Sequence, residues 1–431
     1  MGKLALFGGP RTVTQPFPTW PIWDNDDKNS LLDVLQSGKW WMCAYAEGEL
    51  AESGATHARS QVVQFEEEFA RLHRVKHGVA VTNGSVALDV CMRAIGLEAG
   101  DEVITTPYTF FATSGCILNE NALPVYVDID PETYNIDPAR IEAAITPRTK
   151  AILPVYFGGE IADMDAIMSI AKRHNLKVIE DAAQAQGVSL RDGRSAGSFG
   201  EAAIFSFQAS KCLNSGEGGL ILTNSDEMAE IAQSLRHYGR SKDGLWYEHH
   251  RLGWNSRMSE WQGALLRSQL RKLPEQNARR RRNVKHFFDQ LSNVEGLTPI
   301  KLHPQGETHS HYLVMLRYDS AAWGGLSRKR FLEALNAEGV SASSGYSFPS
   351  FDNPVFKNLD LESVRSPYML GREASIDYGA FAEKCPNAVR ACQEEAIWLM
   401  HYSFLGETEH VDSIIQAILK IKDHSRELGS E

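Results

Sequence analysis

Residues 203–219 read AIFSFQASKCLNSGEGG, and this stretch contains the pattern that decides the fold. An apolar run typical of a buried strand leads into Lys211, which is followed by a glycine-rich loop and a second apolar run. This order predicts a lysine at the rim of a sheet among small groups. A lysine that is partly desolvated loses some of its preference for the charged form and becomes a usable amine nucleophile. Taken alone, the segment also fits an ordinary solvated loop lysine.

Short β-rich runs alternate with helical patterns on both sides of this stretch, from Val79 to Thr223. Such alternation is typical of an α/β protein with a mainly parallel sheet and crossover helices. We predict seven strands, at Val79–Val81, Val103–Thr105, Val125–Val127, Ala151–Val155, Val178–Ile179, Ala203–Ser206 and Leu220–Leu222. Because ligands bind beyond the carboxyl ends of such strands, we expect functional residues directly after them.

The pattern changes near residue 291, where the alternation weakens after a long helical stretch that begins at Trp261. We predict an N-terminal arm at residues 1–30, a large domain at 31–291 and a smaller C-terminal α+β domain at 292–431. The helical stretch contains four consecutive arginines, Arg279–Arg282. Because neighbouring helical positions point to different faces, this run favours a solvated helix over an anion-binding patch.

Composition and charge exclude several classes of protein. The 431 residues include 44 Lys+Arg and 55 Asp+Glu, a net charge of −11, which disfavours nucleic acid as the main partner. Glycine and proline interrupt the N-terminal stretch before a signal-peptide core develops, and no run predicts a membrane span. The six cysteines form no C-x-x-C pair, so no metal site is predicted and reduced thiols are expected. We therefore expect a soluble cytoplasmic protein.

Two other segments carry chemistry. Residues 176–184, LKVIEDAAQ, place Asp181 at the end of an apolar strand, where a carboxylate can hold a cationic ring nitrogen such as that of pyridoxal 5'-phosphate (PLP). A simple helix N-cap is the alternative for Asp181. Residues 81–88, VTNGSVAL, predict a strand, a turn and a helix start, where Gly84 lets a phosphate approach and Ser85 adds a hydroxyl donor. A structural strand-to-helix turn is the alternative there.

Together these segments resemble the DegT/DnrJ/EryC1/StrS family of sugar aminotransferases, a branch of the fold-type I PLP-dependent transferases, which are aspartate aminotransferase-like. The resemblance extends through the stretches Gly100–Ile104, Pro124–Asp130, Asn135–Asp137, Asp163–Ile167, Gly216–Gly219 and Asn255–Met258. It implies an α/β large domain with a seven-stranded, mainly parallel sheet, a PLP cofactor, and a homodimer whose active sites are shared across the interface.

The resemblance also implies roles for single residues. Lys211 matches the lysine that forms a Schiff base with PLP and shuttles the proton, and Asp181 matches the carboxylate paired with the pyridinium nitrogen. Gln184 matches the side chain near the phenolic oxygen, and Phe110 matches the aromatic residue stacked on the ring, with Phe111 as the alternative. The phosphate contacts implied are Gly84, Ser85, Ser206 and, toward the partner subunit's cofactor, Asn255.

Lys211 is present where the sugar dehydratase branch of the family has histidine, so the implied reaction is transamination. The segments around Trp40, His309 and Tyr346 resemble the cyclitol branch, which makes these three residues candidate substrate contacts. The implied reaction moves an amino group from L-glutamate or L-glutamine to a keto sugar or a scyllo-inosose-like keto-cyclitol.

Two alternatives remain open at this point. One is a dehydrating and aromatising enzyme like 3-amino-5-hydroxybenzoate synthase, and the other is a non-catalytic PLP-binding regulatory protein. A nicotinamide oxidoreductase is disfavoured because no G-x-G-x-x-G follows the first strand.

Overall fold

The computed structural model describes residues 3–42, 60–245, 247–360, 363, 366–370 and 375–428. Its strands are, in chain order, β1 (His77–Val81), β2 (Glu102–Thr105), β3 (Leu123–Tyr126), β4 (Thr149–Leu153), β5 (Lys177–Asp181), β6 (Ser189–Leu190), β7 (Ala202–Ser206), β8 (Gly219–Thr223), β9 (Leu297–Pro299), β10 (Gly306–Thr308), β11 (Leu313–Tyr318), β12 (Ala342–Ser343) and β13 (Ala396–Met400). Its α-helices are α1 (Asn25–Ser37), α2 (Gln61–Leu72), α3 (Gly84–Ala94), α4 (Ala112–Asn119), α5 (Pro138–Ile141), α6 (Met164–His174), α7 (Asp226–Arg236), α8 (Glu260–Leu291), α9 (Arg328–Ala337), α10 (Val355–Asn358), α11 (Phe381–Lys384), α12 (Pro386–Arg390), α13 (Thr408–Asp423) and α14 (Ser425–Leu428).

A seven-stranded sheet with the order β1-β8-β7-β5-β4-β2-β3 forms the centre of the molecule. Neighbouring strands from β7 to β3 are parallel, whereas β8 runs antiparallel to both β1 and β7. Each of the seven predicted strands overlaps one strand of this sheet. The prediction of an α/β fold with a mainly parallel sheet is therefore confirmed.

Side chains before the helices explain where several crossover helices begin. Asp163 Oδ1 accepts a hydrogen bond from the Ala166 N–H at 3.1 Å, and Asp137 Oδ1 accepts one from the Ala139 N–H at 3.0 Å. Each bond satisfies one of the N–H groups that a helix start leaves without an intrahelical partner. Aspartate is among the residues preferred at this capping position.

Apolar side chains cover both faces of the sheet. Successive residues of a strand point to opposite faces, so Val178 and Phe205 join one buried cluster with helix α2, while Ile179 and Ile204 join another with helix α3. Strands buried on both faces need continuous apolar runs, and this is the pattern that the sequence shows. The packed sheet gives the loops at its carboxyl edge a rigid base.

A second, antiparallel sheet with the order β12-β13-β11-β9 lies in the C-terminal third. Its core also contains Leu4 and Val13 from the N-terminal arm and Phe287 from α8. The buried Glu338 carboxylate accepts hydrogen bonds from the N–H groups of Ala5 and Thr12, at 2.8 and 3.0 Å. The predicted boundary at residues 291/292 falls at the end of α8, whereas the one at 30/31 falls inside α1; the three-part division stays a prediction.

The arginine run on α8 differs from its prediction. Arg281 and Arg282 are exposed, but Arg280 is completely buried, so the expectation of a solvated helix is wrong at that position. Arg280 is buried because the segment after β13 packs against this face of α8. Arg279 also contacts that segment, through the Leu405 carbonyl oxygen at 3.3 Å.

The described residues hold no candidate for a membrane span or a metal centre. No helix there is long and apolar enough to cross a membrane, and no group of three or more His, Cys, Asp or Glu residues is arranged to hold a metal ion. The free cysteines in the described part of the chain are all buried, at Cys91, Cys116, Cys212, Cys385 and Cys392. Cys43 lies outside the described residues.

Candidate active site

A cavity of about 720 Å³ opens at the carboxyl ends of the parallel strands. Ligands of such sheets bind at this edge. The predicted cofactor residues that line the cavity are Gly84, Ser85, Phe110, Asp181, Gln184, Ser206 and Lys211. The structure thus brings together groups that are up to 127 positions apart in the chain, because they lie at or after the ends of four strands of one sheet, β1, β2, β5 and β7.

Lys211 lies in the loop between β7 and β8. Its backbone N–H donates to the Gln208 carbonyl oxygen at 2.8 Å, which closes a tight turn before the lysine. Its Nζ atom lies 4.1 Å from the centroid of the Tyr312 ring, and the Tyr312 hydroxyl lies 3.1 Å from Ser210 Oγ. The amine is therefore held at the cavity wall beside an aromatic face.

Asp181 is the last residue of β5 and is 5% exposed. Thr113 Oγ1 donates to its Oδ2 at 2.8 Å, and the Ala183 N–H donates to its Oδ1 at 3.2 Å. Burial raises the pKa of this carboxyl, while these two bonds and the charge of Lys211 act against the rise. The side chain therefore caps the following turn and also lines the cavity. A cationic ring nitrogen next to it would stabilise its charged form.

An anion site lies where α3 begins. Asn83 Oδ1 accepts from the Val86 N–H at 2.9 Å and so caps the helix, whose first N–H groups have no intrahelical acceptor. Helix starts with free N–H groups bind phosphate. A Cβ atom on Gly84 would lie 2.8 Å from Ser206 Cβ, so the helix start and the end of β7 approach too closely for any larger residue. This contact brings the Ser85 and Ser206 segments to one cradle.

An amine, a buried carboxylate and an anion cradle in one cavity match the aldehyde, the pyridine nitrogen and the phosphate of PLP. The model of the DegT/DnrJ/EryC1/StrS aminotransferase family matches residues 45–369. The chain belongs to this family. The predicted family is thereby confirmed, and the protein is a PLP-dependent aminotransferase of the fold-type I class.

Full-length relatives agree with this assignment. The L-glutamine:2-deoxy-scyllo-inosose aminotransferase of Streptoalloteichus tenebrarius is 36% identical over 440 residues, which cover 99% of each chain. The L-glutamine:scyllo-inosose aminotransferase of Streptomyces griseus is 35% identical over 439 residues, again 99% of each chain. The crystal structure of 3-amino-5-hydroxybenzoic acid synthase matches with a TM-score of 0.81 at 31% identity, covering 94% of this chain and 98% of that one.

Two further residues of the aminotransferase face the same cavity from opposite sides. The Gly158 N–H donates to Gln184 Oε1 at 2.7 Å, which leaves the amide nitrogen of Gln184 as the group that can donate to a ligand. Phe110 lines the cavity and is 64% exposed, whereas Phe111 packs on Phe356 with ring centroids 6.4 Å apart. Of the two phenylalanines, Phe110 is the one in position to cover a cofactor ring.

Asn255 does not line the cavity of its own chain. It is exposed and pairs with His237 through an isolated β-bridge beside Trp254, which is 65% exposed. Its predicted role toward the cofactor of a partner subunit requires this outward position.

The three candidate substrate residues are separated in the structure. Tyr346 lines the cavity. His309 lies outside it, with Nε2 at 2.8 Å from the buried Glu160 Oε2, and the ring of Trp40 packs 5.6 Å from that of Trp261. Of these three residues, only Tyr346 is therefore in place to contact a substrate bound in the cavity of its own chain.

Three lining residues were not singled out from the sequence. Thr113 follows the carboxyl end of β2, and this position in an α/β sheet is the signal that could have found it. Tyr312 comes from the segment before β11, and Trp398 comes from β13, both in the region of the second sheet. Nothing in the local sequence connects that sheet to the cavity, because the contact depends on how the two sheets pack.

Proposed function

We propose that this aminotransferase transfers the amino group of L-glutamine, with L-glutamate as the second candidate donor, to the ring ketone of a cyclitol related to scyllo-inosose. One observation carries the choice of a cyclitol. Among the described residues that line the cavity, Lys211 is the only cationic one. The diphosphate of a nucleotide-linked sugar is bound most strongly by arginine or lysine side chains, whereas a cyclitol carries no charge to be paired. The names of the two full-length relatives support the same substrate class.

The walls of the cavity also suit a carbocycle. The rings of Tyr346 and Trp398 meet edge to face with centroids 4.9 Å apart, and Tyr312 lies beside them. Burial raises the pKa of Tyr346, so its hydroxyl stays protonated and can donate to a ring hydroxyl. The aromatic faces bury the apolar C–H face of a six-membered ring and exclude water from it.

When bound, PLP takes up the amino group and delocalises the negative charge that develops at the substrate carbon. We assign to the Nζ atom of Lys211 the transfer of the proton to and from that carbon. The Asp181 carboxylate holds the proton on the ring nitrogen, and Gln184 donates toward the phenolic oxygen. The start of α3, with Ser85 and Ser206, binds the phosphate.

We further propose a homodimer in which Asn255 contacts the cofactor site of the partner subunit. The segment that leads to this position exposes four apolar residues, Leu245, Tyr247, Leu252 and Trp254, which supports an interface there. Sedimentation of the protein with and without a Trp254→Lys substitution tests it, and a wild-type monomer with full activity would contradict it. The buried reduced thiols are in keeping with a cytoplasmic enzyme, which we propose as well.

The decisive experiment incubates the PLP-loaded protein with L-glutamine and then with scyllo-inosose, and detects the amine product by mass spectrometry. The expected result is a donor-dependent change of the cofactor absorbance and one aminated cyclitol per turnover. A nucleotide-linked keto sugar serves as the competing acceptor, and amination of that compound alone would overturn the proposal. An aromatic product would indicate the synthase alternative, and no response to any donor would indicate the regulatory one.

A further inference from the structure

Two successive backbone carbonyls directly before Lys211 are bound from outside the large sheet. The Ala209 carbonyl oxygen accepts from Trp20 Nε1 of the N-terminal arm at 3.0 Å. The Ser210 carbonyl oxygen lies 3.0 Å from Nε2 of His401, which follows β13 in the C-terminal third. The loop that carries the lysine is thus fixed by Trp20 and His401, which lie 191 and 190 positions from Lys211 in the chain.

The neighbours of His401 define which of its nitrogens carries the proton. Its Nδ1 lies 3.4 Å from Nη1 of Arg280. A guanidinium has only donors, so Nδ1 must accept, and the hydrogen is on Nε2, which donates it to Ser210. Burial lowers the pKa of His401, and the charges of Arg280 and Lys211 lower it further. The ring is therefore neutral and confined to one tautomer.

Arg280 itself has an unusual environment. It is completely buried, its Nη2 donates to Asn277 Oδ1, and its Nε has no hydrogen-bond partner in the part of the chain that the structure describes. No carboxylate forms an ion pair with it among the described residues. A buried cation without such a partner is costly, so its presence is not explained by stability. Its contact with His401 is the feature that explains it.

We propose that Arg280 and His401 are positioning residues for the aminotransferase: Arg280 fixes the His401 tautomer, and His401 fixes the Ser210 carbonyl and with it the direction of the Lys211 side chain. Tyr312 extends this arrangement, since its ring packs nearly parallel to His401 at 6.1 Å and lies 4.1 Å from Lys211 Nζ. This inference rests on the proposed role of Lys211 as the residue that binds PLP and moves the proton.

The experiment compares His401→Met, which has no donor, with His401→Gln, which retains an amide donor. We expect His401→Met to slow both the covalent attachment of PLP to Lys211 and the half-reaction with L-glutamine by about 10-fold to 100-fold, because both need the amine correctly oriented. The KM for L-glutamine should change little. His401→Gln should recover most of both rates. Attachment is followed by absorbance and located by borohydride trapping and peptide mass spectrometry.

His73 provides the matched control. It is a buried histidine whose Nδ1 bonds the Ala196 carbonyl oxygen at 2.8 Å, away from the cavity. His73→Met should lower the urea midpoint without changing either rate. Arg280→Met should act like His401→Met, and the double variant should add little, because the two residues form one unit. If Arg280→Met does not fold, the His401 variants still test the proposal.

The proposal is overturned if His401→Met keeps the wild-type attachment rate, or if His401→Gln loses as much as His401→Met. Attachment of PLP requires no amino donor. A failure of the proposed substrate would therefore leave this readout intact, and the two failures remain distinguishable.

Discussion

The last two residues of β5 carry carboxylates whose surroundings differ sharply. Glu180 and Asp181 are adjacent and almost fully buried, and the alternation of the strand sends them to opposite faces of the sheet. The Glu180 carboxylate accepts hydrogen bonds of 2.6 to 2.8 Å from the Tyr156 hydroxyl and from the N–H groups of Gly197, Phe199 and Gly200. The Asp181 carboxylate has two donors and faces a cavity.

This difference shows that burial alone does not identify a functional carboxylate. Burial raises the pKa of both groups, and at Glu180 four protein donors oppose that rise from within the fold. Glu180 therefore ties the loop before β7 to the sheet. Asp181 keeps acceptor capacity for a ligand, and in the function proposed above the cationic ring of PLP occupies that position.

The largest effect on activity is expected from Lys211→Ala, which removes the amine from the cavity that Asp181 also lines. Transamination should fall by about 10⁴-fold or more, since the proton-transfer group itself is lost. Borohydride should no longer trap PLP on the protein, while the urea midpoint stays near that of wild type. Lys172→Ala, on the exposed face of α6, is the control. Residual turnover within 10-fold of wild type would show that another residue moves the proton.

Asp181→Asn should lower the amino-transfer rate by about 10²-fold or more, because a neutral amide cannot hold the proton on the ring nitrogen. The apoprotein should fold normally, since the amide is close in shape to the carboxylate. Single-turnover absorbance with L-glutamine measures the rate. A normal rate in this variant would mean that the carboxylate is structural, like Glu180.

Glu180→Gln should have the reverse effect of Asp181→Asn, lowering stability while leaving the amino-transfer rate nearly unchanged. Its amide presents a donor to at least one of the N–H groups that Glu180 now binds, so a buried donor loses its acceptor at a cost of about 1–3 kcal/mol. Urea unfolding of the apoprotein measures this loss, and the single-turnover rate of the folded fraction should remain within about twofold of wild type. A large rate loss with unchanged stability would erase the distinction between the two carboxylates.

The smallest effect concerns pH. The pKa of Asp181 is raised in the folded apoprotein above its ordinary value of 3.8, so the folded state holds this proton more tightly than the unfolded chain. The contribution of Asp181 to stability is therefore complete below 3.8 and is lost as the pH rises through the folded-state pKa. Asp181→Asn does not titrate, so its stability relative to wild type should increase as the pH rises from about 4 through the raised pKa of Asp181.

Asp192→Asn is the control for this experiment. Arg194 lowers the pKa of the exposed Asp192, so its linkage has the opposite sign. Urea titrations of both variants over the pH series give the two slopes. Equal slopes for both variants would contradict the raised pKa of Asp181.

The sequence was sufficient for the large domain because its signals are local. Apolar runs marked the seven strands. Residues that follow strand ends, such as Asp181 and Lys211, were expected at one edge, and the fold brings them there. Here each prediction depended on a few neighbouring positions and on the rule that parallel strands end at the same edge.

The remaining features depend on contacts between distant segments. The sequence predicts Arg280 to be solvated like the three arginines next to it, but the segment near His401 packs over it and buries it. Trp398 reaches the cavity from the second sheet, and His309 turns away from it to bind Glu160. None of these outcomes is encoded by local periodicity, since they follow from how two sheets and a long helix pack.

The N-terminal arm has a consequence for how the chain matures. Because Leu4 and Val13 complete the C-terminal core, and Glu338 binds Ala5 and Thr12 from 333 and 326 positions further along the chain, the arm leaves the ribosome long before its partners are synthesised. A fragment that starts at residue 292 would expose apolar surface, and the Glu338 carboxylate would keep Lys420 but lose its donors in the arm. The smaller domain is therefore not a portable module, and exchanging it between relatives would require exchanging the arm with it.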